Sequence, residues 1–594
     1  MSYRAPVQDM LFVMRHLADI DGLAALPGNE QASSETAAAV LAECARFNEE
    51  VLAPLNQVGD TQPPVWDKGD VRTTPGFKEA FRRYAEDGWQ GLQHAPEFGG
   101  QGLPKLIHAA CMEMNFSANL GFALCPLLSD GAIEALLTAG SPEQQAEVIP
   151  RFIEGRWTGT MNLTEPQAGS DLSLVRTRAE PQGDGTYRIF GTKIFITYGE
   201  HDLAENIVHL VLARVQDAPE GVKGISLFLV PKYKIDADGS RGERNDVHCL
   251  SIEHKLGIHA SPTAVLQYGE HGGAIGTLVG EENRGLEYMF VMMNAARYAV
   301  GLQGIAIAER AYQQAVNYAR ERVQSRPVDG SAKAAVPIIQ HPDVRRMLMT
   351  MRAYAEGCRA MALVAAAAHD VAHAHLDAAV RDENRVFYEF LVPLVKGFST
   401  EMSLDMASLG VQVHGGMGFI EETGAAQHLR DAKILTIYEG TTAIHGNDLV
   451  GRKTKRDGGA TARSVSARIK ATVDQLSARG SADCRAYAQR LEAARLAFEK
   501  AIDFVATSND ANAVYAGSVP YLMLAGNLIA GWQMGRALII AEDCLAAGED
   551  STFMRAKIAT ANFYAEHLLP KTLGERDVIL YGAASVLGMP LDAF

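Results

Sequence analysis

TYRIFGTKIFIT, residues 186–197, is where the reading of the fold turns. β-Branched and aromatic residues crowd it and GDG (183–185) precedes it, which is the composition and boundary of a strand. NIVHLVLARV (206–215), GISLFLVPK (224–232) and TAVLQYGE (263–270) share that character and are divided by GVKG and DGSRGERND. Short strands separated by such turns predict a small β-barrel or sandwich. Outward from it the period becomes helical. Towards the N-terminus apolar residues return at three and four in Val40, Cys44, Phe47 and Val51, and again around Phe77, Phe81, Tyr84 and Ala85, with LPGNEQASS (26–34) and DTQPPVWDKGD (60–70) as breakers. Towards the C-terminus residues 286–323 keep a helical period with no proline, as long bundle helices do; RPVDGSAKAAVP (326–337) ends it, and Pro342 opens the next helix in its first turn. RKTKRDGGATARS (452–464) reads as a linker to a final helical stretch. The expected protein is α+β and multidomain: an N-terminal helical domain over 1–158, a central β-barrel or sandwich over 159–283, a four-helix bundle over 284–452 and an extra C-terminal helical domain over 453–594.

With 594 residues the chain is too long for one ordinary core, and its 47% hydrophobic and 21% charged content is that of a soluble globular protein. A net charge of −16 argues against a nucleic-acid surface and leaves any anionic ligand to local donors. The seven cysteines are scattered and form no CxxC pair, which suits free thiols in a reducing, cytoplasmic compartment. The opening MSYRAPVQDMLFVMRHL lacks a targeting pattern, the closing LDAF is not a peroxisomal address, and apolar windows such as 521–532 fall short of the ~20 residues of a membrane span. His369, His373 and His375 have no HExxH pattern or matching cysteine or acid cluster, so a solvated helix face is expected there and no metal.

The chemistry concentrates in DAKILTIYEGTTAIHG (431–446). Glu439 stands between an aromatic and a glycine, just ahead of a Thr–Thr pair placed to cap the next helix. Alone, it reads as a base or as a solvated acid favoured by a helix dipole. Its company is TEPQAGSD (164–171), KIFIT (193–197), YARER (318–322) and VQVHGGMGF (411–419). Together these motifs resemble the acyl-CoA dehydrogenase family, flavoenzymes that desaturate acyl-CoA thioesters between the α and β carbons, and the resemblance covers residues 35–452.

The resemblance implies an FAD enzyme in which Glu439 abstracts the α proton, its backbone N–H helping to hold the thioester carbonyl, while Arg297 sets the electrostatics nearby. Some relatives carry the base on the long helix, one residue before an arginine; here that place is Ala296. Flavin contacts implied by the motifs are Leu163, Thr164, Gly169 and Ser170 in the first loop and Phe195, Ile196 and Thr197 on the strand, with Thr197 near the flavin N5 and Phe195 where many relatives have tryptophan. Arg322, Gln324, Ser325, Gln412, Gly415 and Gly416 fall to the adenosine-diphosphate end, split between neighbouring subunits, and Thr441 is a further flavin contact from the partner subunit. Many relatives follow the arginine motif with Phe–Gly, whereas Val323 to Arg326 stand here. Substrate contacts implied are Ser170, Asn294, Arg297, Tyr438 and Gly440. A homodimer or tetramer returning electrons through electron-transfer flavoprotein is expected. The opening residues and the C-terminal extension resemble the larger bacterial branch, with a fatty acyl-CoA or 3-methylmercaptopropionyl-CoA as substrate. An acyl-CoA oxidase passing electrons to oxygen, and a non-catalytic acyl-CoA or flavin-binding protein, are the alternatives on the same fold.

Overall fold

In the computed structural model, which describes residues 3–236 and 238–594, the stretch 186–197 is the longest strand of an eight-stranded sheet. The strands are β1 (Trp157–Asn162), β2 (Arg178–Pro181), β3 (Thr186–Thr197), β4 (Asn206–Val215), β5 (Ser226–Pro231), β6 (Val247–Ile252), β7 (Thr263–Tyr268) and β8 (Ala274–Val279). They lie in the order β6-β7-β3-β8-β5-β4-β1, with β2 paired to β3 and β4; β4 is parallel to β1 and β2, and all other pairs are antiparallel.

Side chains alternate across a strand, so a strand buried on both faces reads as a continuous apolar run. That is why 206–215 shows no alternation: Val208, Leu210 and Leu212 enter one core with Trp157 and Phe152, while Val211 and Ala213 enter another with Phe228 and Tyr268. Val247 and Cys249, from the strand at one end of the order, share this second core with β4 near the other end, so the sheet is curled on itself.

The chain forms two compact units. One contains Phe47–Leu103 and Ala118–Ala296, the other Met1–Arg46, Pro104–Ser117 and Arg297–Phe594. The first holds the sheet. DTQPPVWDKGD, read as a breaker, forms there a two-stranded ribbon, Val65–Asp67 with Asp70–Arg72, because Lys68 and Gly69 both take positive φ (52° and 97°) as a tight hairpin turn requires. The Lys105–Ala139 helix is interrupted at Asn119 (φ −159°, ψ 91°), whose side chain accepts the Phe122 N–H at 3.1 Å and so caps the second half. Among the described residues this is the one helix long and apolar enough to cross a membrane, and 83% of its most apolar window is buried in the protein.

The second unit is helical. The part of Gly285–Glu321 from Arg297 onward packs with Pro342–Ala374 and Ala378–His414. Gly301 and Gly304 permit the approach: a Cβ there would stand 2.3 Å from the Val395 carbonyl oxygen and 2.8 Å from that of Ser399. Ser518–Ala546, from the C-terminal stretch, packs on the same helices, with Gly526 against Phe398 and Tyr354 Oη bonded to Asn527 at 3.2 Å. A buried ionic network ties this unit together. Arg359 donates to Glu113 (2.6 Å), Asp9 (2.7 Å) and Glu309 (2.8 Å), while Lys557 pairs with Asp9 and lies 2.8 Å from Glu356.

Candidate active site

Glu439 sits in the turn between helices Ala425–Leu435 and Thr442–Val450. Its backbone is left-handed (φ 53°), as is that of Gly440 (φ 93°). For a non-glycine residue this costs about 1–3 kcal/mol and persists only where surrounding bonds enforce it. Those bonds are present. Lys396 Nζ donates to the carbonyls of Leu435 (2.8 Å) and Gly440 (2.6 Å), His445 Nε2 lies 3.2 Å from the Glu439 carbonyl oxygen, and the Tyr438 hydroxyl donates to Gln303. Burial raises the Glu439 carboxyl, the charges of Arg297 and Lys396 oppose this, and it settles at about 6. Arg297 is itself held below its ordinary value by burial, against the pull of Asp448 and Glu439. Thr441 stands at the N-cap position of the following helix but makes no side-chain cap bond, and it is exposed.

In the sheet-bearing unit, the loop after β1 is bound to β3 by a pair that the sequence reading quoted within its motifs without assigning. Lys193 Nζ donates to Glu165 (2.9 Å) and to the Leu163 carbonyl (3.0 Å), and Glu165 also accepts from the Thr177 hydroxyl (2.6 Å) and the Arg176 N–H (2.8 Å). Burial raises the Glu165 carboxyl, but Lys193 and these donors outweigh it and leave it at about 2; Lys193 is lowered by burial to about 8. The Ile194 N–H bonds the Thr164 carbonyl at 2.9 Å, completing the link between loop and strand. Lys193→Met strands the Glu165 charge in the interior at a cost of about 3–5 kcal/mol. The expected result is a loosened 163–170 loop and a lower flavin-to-protein absorbance ratio in the purified protein; an unchanged ratio would refute this.

One residue further, β3 bulges. Ile196 pairs with Ala264 and Lys193 with Leu266, so Ile194 and Phe195 together oppose Val265. The bulge places Phe195 at φ 60° and leaves the residue 59% exposed, an unusual state for a strand phenylalanine, while Ile196 is buried and Thr197 half-buried. Gly169, Ser170 and Asn294 are exposed in the same unit.

In the helical unit Arg322 is exposed, with the Gln324 side chain 3.4 Å away, and the Ser325 (φ 63°) carbonyl accepts the Val336 N–H at 3.0 Å. Gln412 is exposed at the end of Ala378–His414, and the helix stops at Gly415 in a glycine-specific conformation (φ 60°, ψ −140°). A Cβ on Gly415, Gly416 or Gly169 would meet nothing within 4 Å. The exposed guanidinium of Arg322 suits a phosphate group, and the exposed Phe195 suits a flat aromatic one.

Four consecutive family matches span the chain. Residues 34–156 match the acyl-CoA dehydrogenase N-terminal domain, 160–270 the middle domain, 283–453 the C-terminal domain, and 465–590 the family described as acetyl-CoA dehydrogenase C-terminal like. The chain is 55% identical over 589 residues to 3-methylmercaptopropionyl-CoA dehydrogenase of Ruegeria pomeroyi, covering 99% of each. The chain belongs to the acyl-CoA dehydrogenase family. It is 36% identical over 604 residues to a broad-specificity linear acyl-CoA dehydrogenase of Mycobacterium tuberculosis, covering 97% of each. The acyl-CoA dehydrogenase of Bacillus anthracis solved with FAD shares the fold, with a TM-score of 0.73 at 21% identity over 96% of this chain and 91% of that one. As a family member the protein is an oxidoreductase with FAD as cofactor and an acyl-CoA thioester as substrate class.

Within this dehydrogenase the helical unit brings together Glu439, Tyr438, Gly440 and Arg297, adding Lys396 and His445, which the sequence reading did not single out. Lysine within an apolar run (LVPLVKGF, 391–398) was the available signal. His369 is not on a solvated face: it is half-buried beside Tyr388 (5.0 Å between ring centroids) and His373 (4.2 Å), and burial lowers it to about 4. Asp246, His248 and His271 gather donor atoms within 4.8 Å of one another at the sheet edge, a grouping without sequence signal. Its Asp246 Oδ2 already accepts the backbone N–H groups of His271 (2.7 Å) and Gly273 (3.0 Å), and so closes a turn.

Proposed function

We propose that the enzyme dehydrogenates an acyl-CoA between the α and β carbons, with Glu439 as the base that removes the α proton. The carrying observation is the state of that carboxyl: half-buried, held near 6, and fixed on a left-handed turn with Arg297 and Lys396 as its cations. A base for a weak carbon acid needs a pKa near the working pH and a fixed position, and this group has both. FAD, when bound, supplies the acceptor for the hydride leaving the β carbon. Leu163, Thr164, Gly169, Ser170, Phe195, Ile196 and Thr197 are assigned to its ring, Arg322, Gln324, Ser325, Gln412, Gly415 and Gly416 to its adenosine-diphosphate end, and Thr441 is a further flavin contact supplied to the neighbouring subunit. Ser170, Asn294, Arg297, Tyr438 and Gly440 are assigned to the substrate.

3-Methylmercaptopropionyl-CoA is the proposed substrate, supported by full-length identity of 55% to the Ruegeria pomeroyi enzyme. Electron-transfer flavoprotein is the proposed electron acceptor and a homodimer or tetramer the proposed assembly. Seven buried free cysteines support a cytoplasmic location. The test is anaerobic titration of the purified yellow protein with a panel of acyl-CoAs, following flavin absorbance. Prompt bleaching that ranks the thioether above linear chains is expected; no bleaching by any acyl-CoA would overturn the reading. Because only ionised Glu439 takes a proton, the bleaching rate is expected to fall as pH is lowered through about 6 and to level off above it.

A further inference from the structure

Lys396 is completely buried, a costly place for an ammonium unless its surroundings answer the charge. Its two carbonyl acceptors are the last residue of the Ala425–Leu435 helix and Gly440, so one nitrogen joins both ends of the turn that carries Glu439. The Leu435 carbonyl lacks an intrahelical partner, and a cation at a helix C-terminus is also favoured by the dipole. On the other side of the turn, burial keeps His445 neutral, at about 3, beside the Glu439 carbonyl. A neutral ring supplies a tie but no charge.

We propose that Lys396 is the positioning residue of the base: its ammonium pins the 435–440 turn in the left-handed form that Glu439 requires and adds a positive charge that acts on the carboxylate. This rests on the reading of Glu439 as the base. Charged and titratable groups that face the carboxylate, its two cations or Tyr438 come from every packed element: Arg297 from the long helix, Lys396 and Glu401 from Ala378–His414, Asp431 from Ala425–Leu435, Tyr438 from the turn, and His445, Asp448 and Arg452 from the segment beyond. Arg297 and Lys396 are the two that pull it down. Thr442, at the start of the next helix, donates to Glu401, so Lys396 and Glu401 on one helix hold successive parts of the same segment.

The test compares wild-type holoenzyme with Lys396→Met, which removes donors and charge, and Lys396→Gln, which keeps a donor without charge. The first readout needs no turnover: hydrogen–deuterium exchange of amides 436–443 in the folded protein. Exchange about ten-fold or more faster in Lys396→Met, and less accelerated in Lys396→Gln, is expected. The second is the pH dependence of anaerobic flavin bleaching by acyl-CoA. Loss of the positive charge raises the Glu439 pKa, so the acidic midpoint moves upward in both variants. The plateau rate falls about ten-fold or more in Lys396→Met and less in Lys396→Gln, with KM little changed. Wild-type exchange together with a wild-type midpoint in Lys396→Met would overturn the proposal. Should that variant not fold, Lys396→Gln decides, an upward midpoint supporting the proposal and an unshifted one refuting it. If no acyl-CoA bleaches even the wild type, the base reading fails, while the exchange comparison still decides whether Lys396 holds the turn.

Discussion

Glu439→Gln is expected to fold, to retain its yellow cofactor, and to be bleached by acyl-CoA about 10²–10⁴-fold more slowly than wild type, the range that a positioned general base contributes. The amide preserves shape and removes the only proton acceptor proposed for the step. Structure survives because the turn is not held by the carboxylate: its ties run to backbone carbonyls, from Lys396 to Gly440 and from His445 to Glu439 itself. Losing a half-buried anion beside two cations shifts the melting temperature far less than it shifts the rate. Stopped-flow bleaching under anaerobic conditions makes the comparison, with cofactor content and melting temperature as controls. A variant bleached as fast as wild type would move the base elsewhere, and Ala296, at the family's alternative position, offers no acid to take the role.

Arg359→Met is expected to be the most damaging single change for stability. The guanidinium is 1% exposed and answers Glu113, Asp9 and Glu309 at once. Burial already raises Glu113 to about 7 against the attraction of Arg359, and losing the cation removes that attraction. Breaking a buried ion pair from one side costs about 3–5 kcal/mol, and here several carboxylates lose their partner together. The first consequence is release of the Val7–His16 helix, because Asp9 is shared between Arg359 and Lys557 and buries the N-terminal segment in the helical unit. A lowered melting temperature and faster proteolysis ahead of residue 34 are the measurements; an unchanged melting temperature would show that the network is not needed for stability. Asp9→Asn, which leaves Arg359 two carboxylates, is expected to cost less.

Local chemistry explains how much was legible. Strand 186–197 was readable because β-branched and aromatic residues have a short-range preference that needs no partner, and 286–323 because a helical period over such a length has few other readings. The ribbon at 65–72 was missed because two prolines and a glycine mark a break in any context, and only pairing of Val65 with Arg72 shows that the break is a hairpin. Glu439 and Phe195 were found through motifs, yet their positive φ angles go with a tie from Lys396, distant in sequence, and with a bulge against Val265. The pairs Lys193–Glu165 and Arg359–Glu113 lie 28 and 246 residues apart, and charges at such separations carry no local sign of each other.

The sequence by itself therefore determined the order of helical and β segments, the membership of the family, and which carboxylate stands in the decisive motif. Tertiary structure decided the rest: that Glu439 titrates near 6, that Lys396 ties down its turn, and that the N-terminal helix and Lys557 close one ionic network around Arg359. The physical reason is one of range. Propensity and periodicity act between neighbours along the chain, whereas desolvation and charge act through space and exist only once distant segments have packed.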